Sequence, residues 1–442
     1  MKGLRVLVLG GGIAGVTSAM SLARQGVKVI LVEKDDFLGG RASRYGCKAS
    51  DKCTKCGVCL VVDRLRSLPL YIHAGSIEVM EGSRLLSLEG KSGSFTATVV
   101  TSPRYVDKGR CTGCGACLKV CPAEGEGAIR RPPVNGTERH VAIDPGRCLR
   151  WKGKECALCA DACPAEAVDF GASSSLSRVE ADAVIVATGF EPASAGVLPD
   201  LGYGRFDGVF GGHEVEEILT KSGRLHLSDG SVPKRVAFVQ CVGSRNLAIG
   251  RDYCSEVCCR YAMRMALAYK RVEPSADITI FHMDLQTNGP GVPEVYKSCL
   301  DKVRFVQGMP VDVKPVEKNA GDGTGAGVGD QGDITGRLIV RYEDVWKAEV
   351  KRESFDAVVL SVGIWPPSDA REIADRVGIN LDRHGFLGAV DSPKAGGLGV
   401  RTIRDGVFLA GACQKPRTIP ETIAHAEACA LAVISMLGAE VA

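Results

Sequence analysis

Short apolar runs, most of them closed by glycine or another small residue, set the order of the chain. The first, Arg5 to Leu9, feeds Gly10-x-Gly12-x-x-Gly15; a helix-like segment follows to about Gln25, and a second run, Lys28 to Val32, closes on Glu33. Comparable runs occupy Ala181 to Gly189, Lys234 to Gln240 and Gly406 to Ala412. Runs that are apolar on both pleat faces predict strands of a parallel sheet covered on both sides, and their alternation with helical stretches predicts an α/β fold. The Ala-rich stretch Ile419 to Leu437 predicts a buried helix near the end. From Val6 to Ala23 no residue is charged, but the glycines interrupt any export signal, so neither a transmembrane segment nor a targeting signal is expected.

Composition adds two departures to this picture. The 442 residues, 45% apolar and 24% charged, point to two or three domains. A formal charge of +3 is too balanced for a polyanion-binding surface, and no nucleic-acid partner is expected. The departures are 54 glycines and 19 cysteines. Without export the cysteines stay reduced in the cytoplasm, the expected location, where crowded spacing signals metal binding or redox chemistry rather than disulfides.

The glycines at the N-terminus have separate tasks in dinucleotide binding. Gly10 permits a tight turn; Gly12, with Ala14 beside it, lets a pyrophosphate approach the positive end of a helix; Gly15 brings helix and strand together. Glu33, with Lys34 after it, stands where a carboxylate accepts hydrogen bonds from ribose hydroxyls. Gly39-Gly40-Arg41 makes a second small-residue approach that resembles the two-dinucleotide-domain flavoproteins and favours FAD over NAD. Ala187-Thr188-Gly189 is similar to the turn that returns to their flavin, and Gly411-Ala412, with Ile419 behind, to the end of their last strand. Where many such proteins place an Asp, this chain has Ala412 and Cys413.

Four cysteine groups follow. Cys111, Cys114, Cys117 and Cys121 form C-x2-C-x2-C-x3-C-P; Cys148, Cys156, Cys159 and Cys163 repeat the x2, x3 and proline ending with a longer first gap. The pair resembles a bacterial dicluster ferredoxin. That resemblance assigns Cys111, Cys114, Cys117 and Cys163 to one 4Fe–4S cube and Cys148, Cys156, Cys159 and Cys121 to the other. A zinc ribbon is the bland alternative, and it leaves both Cys-Pro endings without a purpose. Cys47, Cys53, Cys56 and Cys59 suit one cube or a four-thiolate zinc site. The last group, Cys241, Cys254, Cys258 and Cys259, has no ferredoxin spacing and by spacing alone is equally a vicinal disulfide or a set of buried thiols. Cys299, Cys413 and Cys429 are left over, the last expected to be a core thiol, and the seven histidines show no ligand spacing.

In relatives of glutathione or thioredoxin reductase the second nucleotide domain carries its own glycine fingerprint. Here the corresponding place is Cys241-Val-Gly-Ser-Arg245, so a thiolate candidate replaces the phosphate-cradling glycines, and an iron–sulfur cluster is expected in place of a nicotinamide. Gln240-Cys-Val-Gly-Ser-Arg245, Tyr253-Cys-Ser, Val257-Cys-Cys259 and Gly411-Ala-Cys-Gln-Lys-Pro-Arg-Thr-Ile-Pro420 resemble the flavin-carrying A-type chain of heterodisulfide reductase, a family that includes its relative in the quinone-interacting oxidoreductase of sulfate reducers. The resemblance covers nearly the whole chain. It implies a two-dinucleotide-binding-domain flavoprotein, Rossmann-like and thioredoxin-reductase-like, with an inserted dicluster ferredoxin domain. The expected flavin domain is in three parts (1–103, 173–232 and 366–442), the insertion spans 104–172 and the second Rossmann-like domain 233–365. The resemblance further implies FAD, four 4Fe–4S clusters with the last group of cysteines ligating one near the flavin, and partner iron–sulfur proteins like the B-type and C-type chains of that reductase, through which alone a membrane would be reached. Arg264, the candidate catalytic residue, stands where bifurcating relatives are expected to place a Lys near the flavin. The competing expectations are an NAD(P)H-dependent flavin reductase like the small subunit of glutamate synthase, and a non-catalytic assembly protein. The glycine-rich stretch from Asn319 to Gly336 is expected to be a flexible surface loop.

Overall fold

The computed structural model describes residues 3–49, 53–316, 337–391 and 397–441; the glycine-rich stretch lies outside the described residues. The chain begins β1 (Arg5–Leu9), α1 (Ile13–Arg24), β2 (Lys28–Val32), α2 (Val58–His73), β3 (Ile77–Met80) and enters an antiparallel pair, β4 (Ser83–Lys91) and β5 (Ser94–Thr101). Small elements follow: α3 (Ala116–Val120), β6 (Ile129–Arg130), β7 (Ala142–Ile143) and α4 (Leu158–Asp161). The chain then returns through β8 (Ser175–Ala181), which pairs with β5, into β9 (Ala183–Val186).

The first lobe is a parallel sheet in the order β20-β9-β1-β2-β3, where β20 is Val407–Leu409. Alternate residues of β1 serve different cores, which is why its sequence is apolar throughout. Val6 and Val8 meet α1 and the last helix, α9 (Ile419–Val441), whereas Leu7 and Leu9 meet the β4-β5-β8 layer and α8 (Ala370–Val377). Helix α9 is long and apolar enough by length and composition to cross a membrane. Its Ala426, Cys429, Ala430, Val433 and Leu437 are buried in the first core.

The second lobe repeats the plan with β10 (Glu191–Pro192), β11 (Val209–Gly211), α5 (Gly212–Ser222), β12 (Arg235–Val242), α6 (Cys258–Val272), β13 (Asp277–His282), α7 (Val292–Cys299), β14 (Arg304–Gln307), β15 (Pro310–Pro315), β16 (Leu338–Asp344), β17 (Glu349–Phe355), β18 (Ala357–Val362) and β19 (Ile364–Trp365). Its parallel sheet runs β11-β18-β12-β13-β14, with α6 and α7 on one face and the β15-β16-β17 meander on the other. Strands β10 and β19 pair antiparallel where the chain passes between the lobes.

One boundary differs from expectation. The sequence pattern assigns residues 209–222 to the flavin domain, yet β11 pairs in parallel with β18, and Val215 of α5 is buried beside Met263 in the second lobe. A three-residue strand carries too little periodicity to reveal its sheet.

Between β5 and β8 the inserted segment has a small core of its own, Val106, Ala123, Ile129, Val141, Ile143 and Ala167, completed by Cys148 and Cys159. Ion pairs on two buried carboxylates bind it to the first lobe: Arg104 to Glu81 at 2.9 Å, and the more exposed Arg130 to Asp36 at 2.6 Å.

Candidate functional site

A cavity of about 660 Å³ runs from the β1–α1 turn to α6, within the range that holds organic cofactors. Backbone crowding shapes its nucleotide end. Gly10 has φ 110°, and a Cβ there would lie 2.4 Å from the Ala187 carbonyl oxygen; at Gly15 it would lie 1.8 Å from that of Gly10. Gly12, the N-cap of α1, is different: the nearest atom to an added Cβ is the Gly40 Cα at 4.0 Å, so its missing side chain leaves room in the cavity. Gly39 N–H donates to the Gly11 carbonyl at 2.8 Å, which holds the second glycine segment against the first.

Glu33 is buried at the strand end. Its Oε2 accepts from Gly11 N–H at 2.6 Å and its Oε1 from Asp35 N–H at 2.8 Å, and burial pushes the carboxyl up to about 7. The sign follows. With a folded value above the ordinary 4.5, Glu33 lowers the stability of FAD-free protein as pH rises from about 4.5 to about 7, by up to about 3 kcal/mol. His140 and His425, which burial lowers to about 4, act in the opposite sense between about 6.5 and 4. Melting curves of wild type and Glu33→Gln across this range are therefore expected to converge toward acid and separate above pH 6, the variant being the more stable. A flat difference would refute the assignment.

Ala14, Lys34, Gly39, Gly40, Arg41, Ala187, Thr188, Gly189, Ala412 and Ile419 also line the cavity. Gly15 and Gly411 do not. Both are packing positions, and a Cβ on Gly411 would stand 2.6 Å from that of Ala14. Cys413 turns into the core, donating to the Val186 carbonyl at 3.2 Å. Near that turn the cavity receives Arg417, whose guanidinium donates to the Gly411 carbonyl at 2.9 Å and to Gln414 at 2.7 Å. His425 does not line the cavity; its Nδ1 accepts the Gly411 N–H at 2.9 Å.

At the far end stand Tyr45, Lys48, Glu216, Arg260, Tyr261 and Arg264. Of these only Arg264 carries a signal in the sequence. It is buried, and both its Nε (3.1 Å) and a terminal nitrogen (2.8 Å) donate to the Thr54 carbonyl, inside the Cys53–Cys59 segment. Lys48 and Glu216 form an ion pair with both side chains nearly enclosed.

The cysteine loops share a backbone signature. In Cys111–Cys117 the left-handed residues are Gly113 (φ 71°) and Gly115 (φ 76°); in Cys53–Cys59 they are Lys55 (φ 49°) and Gly57 (φ 89°), at the same two places. In each loop the third cysteine then enters the first turn of a helix, α3 or α2. Lys55 N–H donates to Cys53 Sγ at 3.3 Å, and the Ala116 N–H, followed by the Thr112 hydroxyl, holds the exposed Cys114 thiol below its usual pKa. Amides are thus already aimed at sulfur, as cluster loops require. Cys47 is exposed and sits apart in sequence between Gly46, tied to Thr220, and Lys48, tied to Glu216.

In the insertion a small cavity is lined by Cys121, Cys148, Cys156 and Cys159, the grouping that the ferredoxin resemblance implies, with Pro122, Ile129 and Leu158 around it. Burial and then the nearby Cys111 thiol push the Cys117 thiol up, and Cys163 Sγ accepts from Ala167 N–H at 3.3 Å. In the second lobe the Cys241 thiol pushes the neighbouring Cys258 thiol up to about 12, with Cys259 acting in the opposite sense, and Cys254 stands near Cys259 and accepts from Glu256 N–H at 3.3 Å. Cys241 occupies the left-handed region at φ 59°, costly for a non-glycine residue and a mark of a functional constraint. None of the nineteen cysteines is joined to another in a disulfide. Among the described residues no three Cys, His, Asp or Glu side chains are spaced to hold a single metal ion.

The family described as FAD dependent oxidoreductase matches residues 5–58, and the family described as 4Fe-4S dicluster domain matches residues 110–167. The A-type chain of the H(2):CoB-CoM heterodisulfide,ferredoxin reductase of Methanothermobacter marburgensis is 34% identical, covering 99% of this chain and 64% of that protein. The A-type chain of the Ferredoxin:CoB-CoM heterodisulfide reductase of Methanosarcina mazei is 33% identical over 98% of this chain and 53% of its own length. The chain thus spans about half to two thirds of the relatives it matches. The crystal structure of Lactococcus lactis thioredoxin reductase is 15% identical, covers 98% of both chains and superposes with a TM-score of 0.51, which shows the fold. Along nearly its whole length, then, the chain is a sequence relative of the A-type chain of heterodisulfide reductase built on the two-lobe flavoprotein fold of thioredoxin reductase, with FAD and 4Fe–4S clusters as its cofactor classes.

Proposed function

We propose that the chain is the FAD- and iron–sulfur-carrying electron-transfer component of an oxidoreductase complex of the heterodisulfide reductase type, working in the cytoplasm with partner iron–sulfur proteins. The observation that carries this is the course of the cavity. It begins at the Gly12–Gly40 gap and Glu33, and it ends against Cys56 and against Val257, the residue before Cys258. The same cavity therefore touches a dinucleotide cradle and two cysteine loops. Bound flavin takes or gives electrons in pairs and 4Fe–4S clusters carry them singly, so the two classes together convert one mode into the other.

The chain's own residues supply placement. The Gly12 and Gly40 backbones leave space for a pyrophosphate at the start of α1, Glu33 offers its carboxylate to the ribose, and Arg41 and Arg417 bring positive charge to a dianionic cofactor. Arg264 joins the parts, with one face on the cavity and its donors on the Cys53–Cys59 loop. Four clusters are proposed, held by the four cysteine groups. In the first of these the loop geometry supports Cys53, Cys56 and Cys59, and Cys47 is proposed as the fourth ligand. In the second lobe the place of a phosphate-binding glycine turn is filled by Cys241 and the fifteen-residue connection from β12 to α6, residues 243–257, which opposes a nicotinamide site there.

Anaerobic purification with iron, flavin and partner analysis tests the reading. The expected result is one FAD and about sixteen irons per chain, co-purifying with iron–sulfur proteins. About eight irons would leave only the insertion's clusters, and rapid flavin reduction by NAD(P)H in the isolated chain would replace the reading with an ordinary pyridine-nucleotide reductase.

A further inference from the structure

Strand β12 ends in a bulge. Its Val239 is in register with Leu360 of β18 and its Val242 with Val362, so Gln240 and Cys241 together oppose the single residue Ser361. Val239 and Val242 both belong to the core beneath the β15-β16-β17 meander. The two residues between them are consequently turned to the other face, the one that carries α6, where Val236 and Phe238 precede them. The bulge, with Cys241 at φ 59°, thus brings Cys241 to the start of α6, where its thiol meets that of Cys258.

The same device fixes Gln240. Its side chain is 0% exposed, and neither its amide nitrogen nor its amide oxygen has a hydrogen-bond partner. A buried carboxamide with no partner at either atom is costly and is retained where something else satisfies it. Gln240 is the immediate neighbour of one thiol of the group and shares its face. On the adjacent strand, the next position after the paired Phe281 is His282, also on the α6 face, whose Nδ1 is buried and without a partner. Two unpartnered polar groups thus stand side by side at the carboxyl ends of neighbouring parallel strands, the place where open α/β sheets hold their ligands.

We propose that the Gln240 carboxamide donates an N–H···S hydrogen bond to the cluster held by Cys241, Cys254, Cys258 and Cys259 and thereby raises its reduction potential. The inference rests on the reading that these thiols hold a cluster. A reduced cluster carries one more negative charge than an oxidised one, so a donor fixed on its sulfur favours the reduced form. Donors on the thiols already come from elsewhere, as the Glu256 N–H on Cys254 shows. The β12 bulge adds a side-chain donor from beneath.

Redox titration of the purified holoprotein, followed by electron paramagnetic resonance, tests this with Gln240→Met, which keeps the volume and removes the donor. Cys259→Ala identifies which signal belongs to this group. The expected result is an unchanged iron count, a roughly tenfold lower reduction constant for that signal alone, equal to about 59 mV for one electron, and loss of a nitrogen hyperfine coupling present in wild type. An unshifted signal with full iron content overturns the proposal. If Gln240→Met sheds the cluster's irons, Gln240→Leu decides, since it is close in size, adds no charge and lacks the N–H: a lowered potential supports the hydrogen bond, and loss of iron there too assigns the side chain to packing and overturns it. Cys259→Ala removing neither signal nor iron would instead dispose of the cluster itself, an outcome the iron count separates from failure of Gln240.

Discussion

Gly15→Ala is expected to yield protein that does not retain FAD and melts far below wild type, whereas Gly12→Ala, three residues earlier in the same fingerprint, melts normally and loses only the cofactor. The contrast comes from where each missing side chain would stand. At Gly15 the new methyl carbon falls 1.8 Å from the Gly10 carbonyl oxygen and 3.3 Å from a Val8 methyl, and these neighbours are strand and turn residues that cannot retreat without separating α1 from β1. An overlap of that size with backbone belongs to the small class of substitutions costing above about 4 kcal/mol. At Gly12 the backbone is extended (φ −73°, ψ −176°), a conformation open to alanine, and the methyl meets nothing closer than 4.0 Å. It occupies the space a pyrophosphate needs, so FAD affinity is expected to fall about 100-fold, or about 2.8 kcal/mol. Calorimetry with and without FAD measures both; equal losses of stability at the two positions would contradict the division of labour between them.

The second large effect concerns the seating of the insertion. Arg104→Met is expected to lower the stability of the inserted segment by about 3 kcal/mol and open it to proteolysis. The guanidinium donates to Glu81 at 2.9 Å, approaches Asp36 at 3.8 Å and lies 2.6 Å from His140 Nε2, and the Glu81 and Asp36 side chains are only 5% and 8% exposed. Lys108 and Arg130 remain to face the two carboxylates, which keeps the loss below that of a fully stripped charge. The pH dependence is diagnostic. In wild type, burial and then Arg104 hold His140 at about 4; removing Arg104 lifts the second cause and leaves the first, so the imidazole takes its proton beside Glu81 at a higher pH than in wild type. The destabilisation is therefore expected to be smaller at pH 5.5 than at pH 8. A penalty that does not vary with pH, or one that Arg104→Lys fails to reduce, would point to lost packing rather than lost charge.

The parts of this architecture that repeat in sequence were legible, and those made by a single residue's dihedral were not. Strand runs such as Arg5–Leu9 are apolar on both faces because both faces are covered, and x2 spacing between cysteines is short enough to dictate loop geometry. The ferredoxin grouping of Cys121 with Cys148, Cys156 and Cys159 could be named from resemblance and agrees with the small cavity those four line. The bulge at Gln240–Cys241 left no pattern to read, since one left-handed cysteine decides it. Arg417 lies within the run from Gly411 to Pro420, but nothing in that run marks it as the residue that lines the cavity. Arg264 stands out in sequence as a substitution, but its bond to the Thr54 carbonyl joins residues far apart in the chain, a relation that spacing does not encode.

The register between β5 and β8 sets Thr101 directly opposite Ser175. Topologically, everything from residue 102 to residue 174 is therefore the tip of a β-hairpin. Closing a longer connection between ends already held together adds little entropy, since the cost grows only with the logarithm of length. A hairpin tip can be lengthened, exchanged or excised while both strands keep their partners, so wiring can be added or removed there without redesigning the nucleotide cradle.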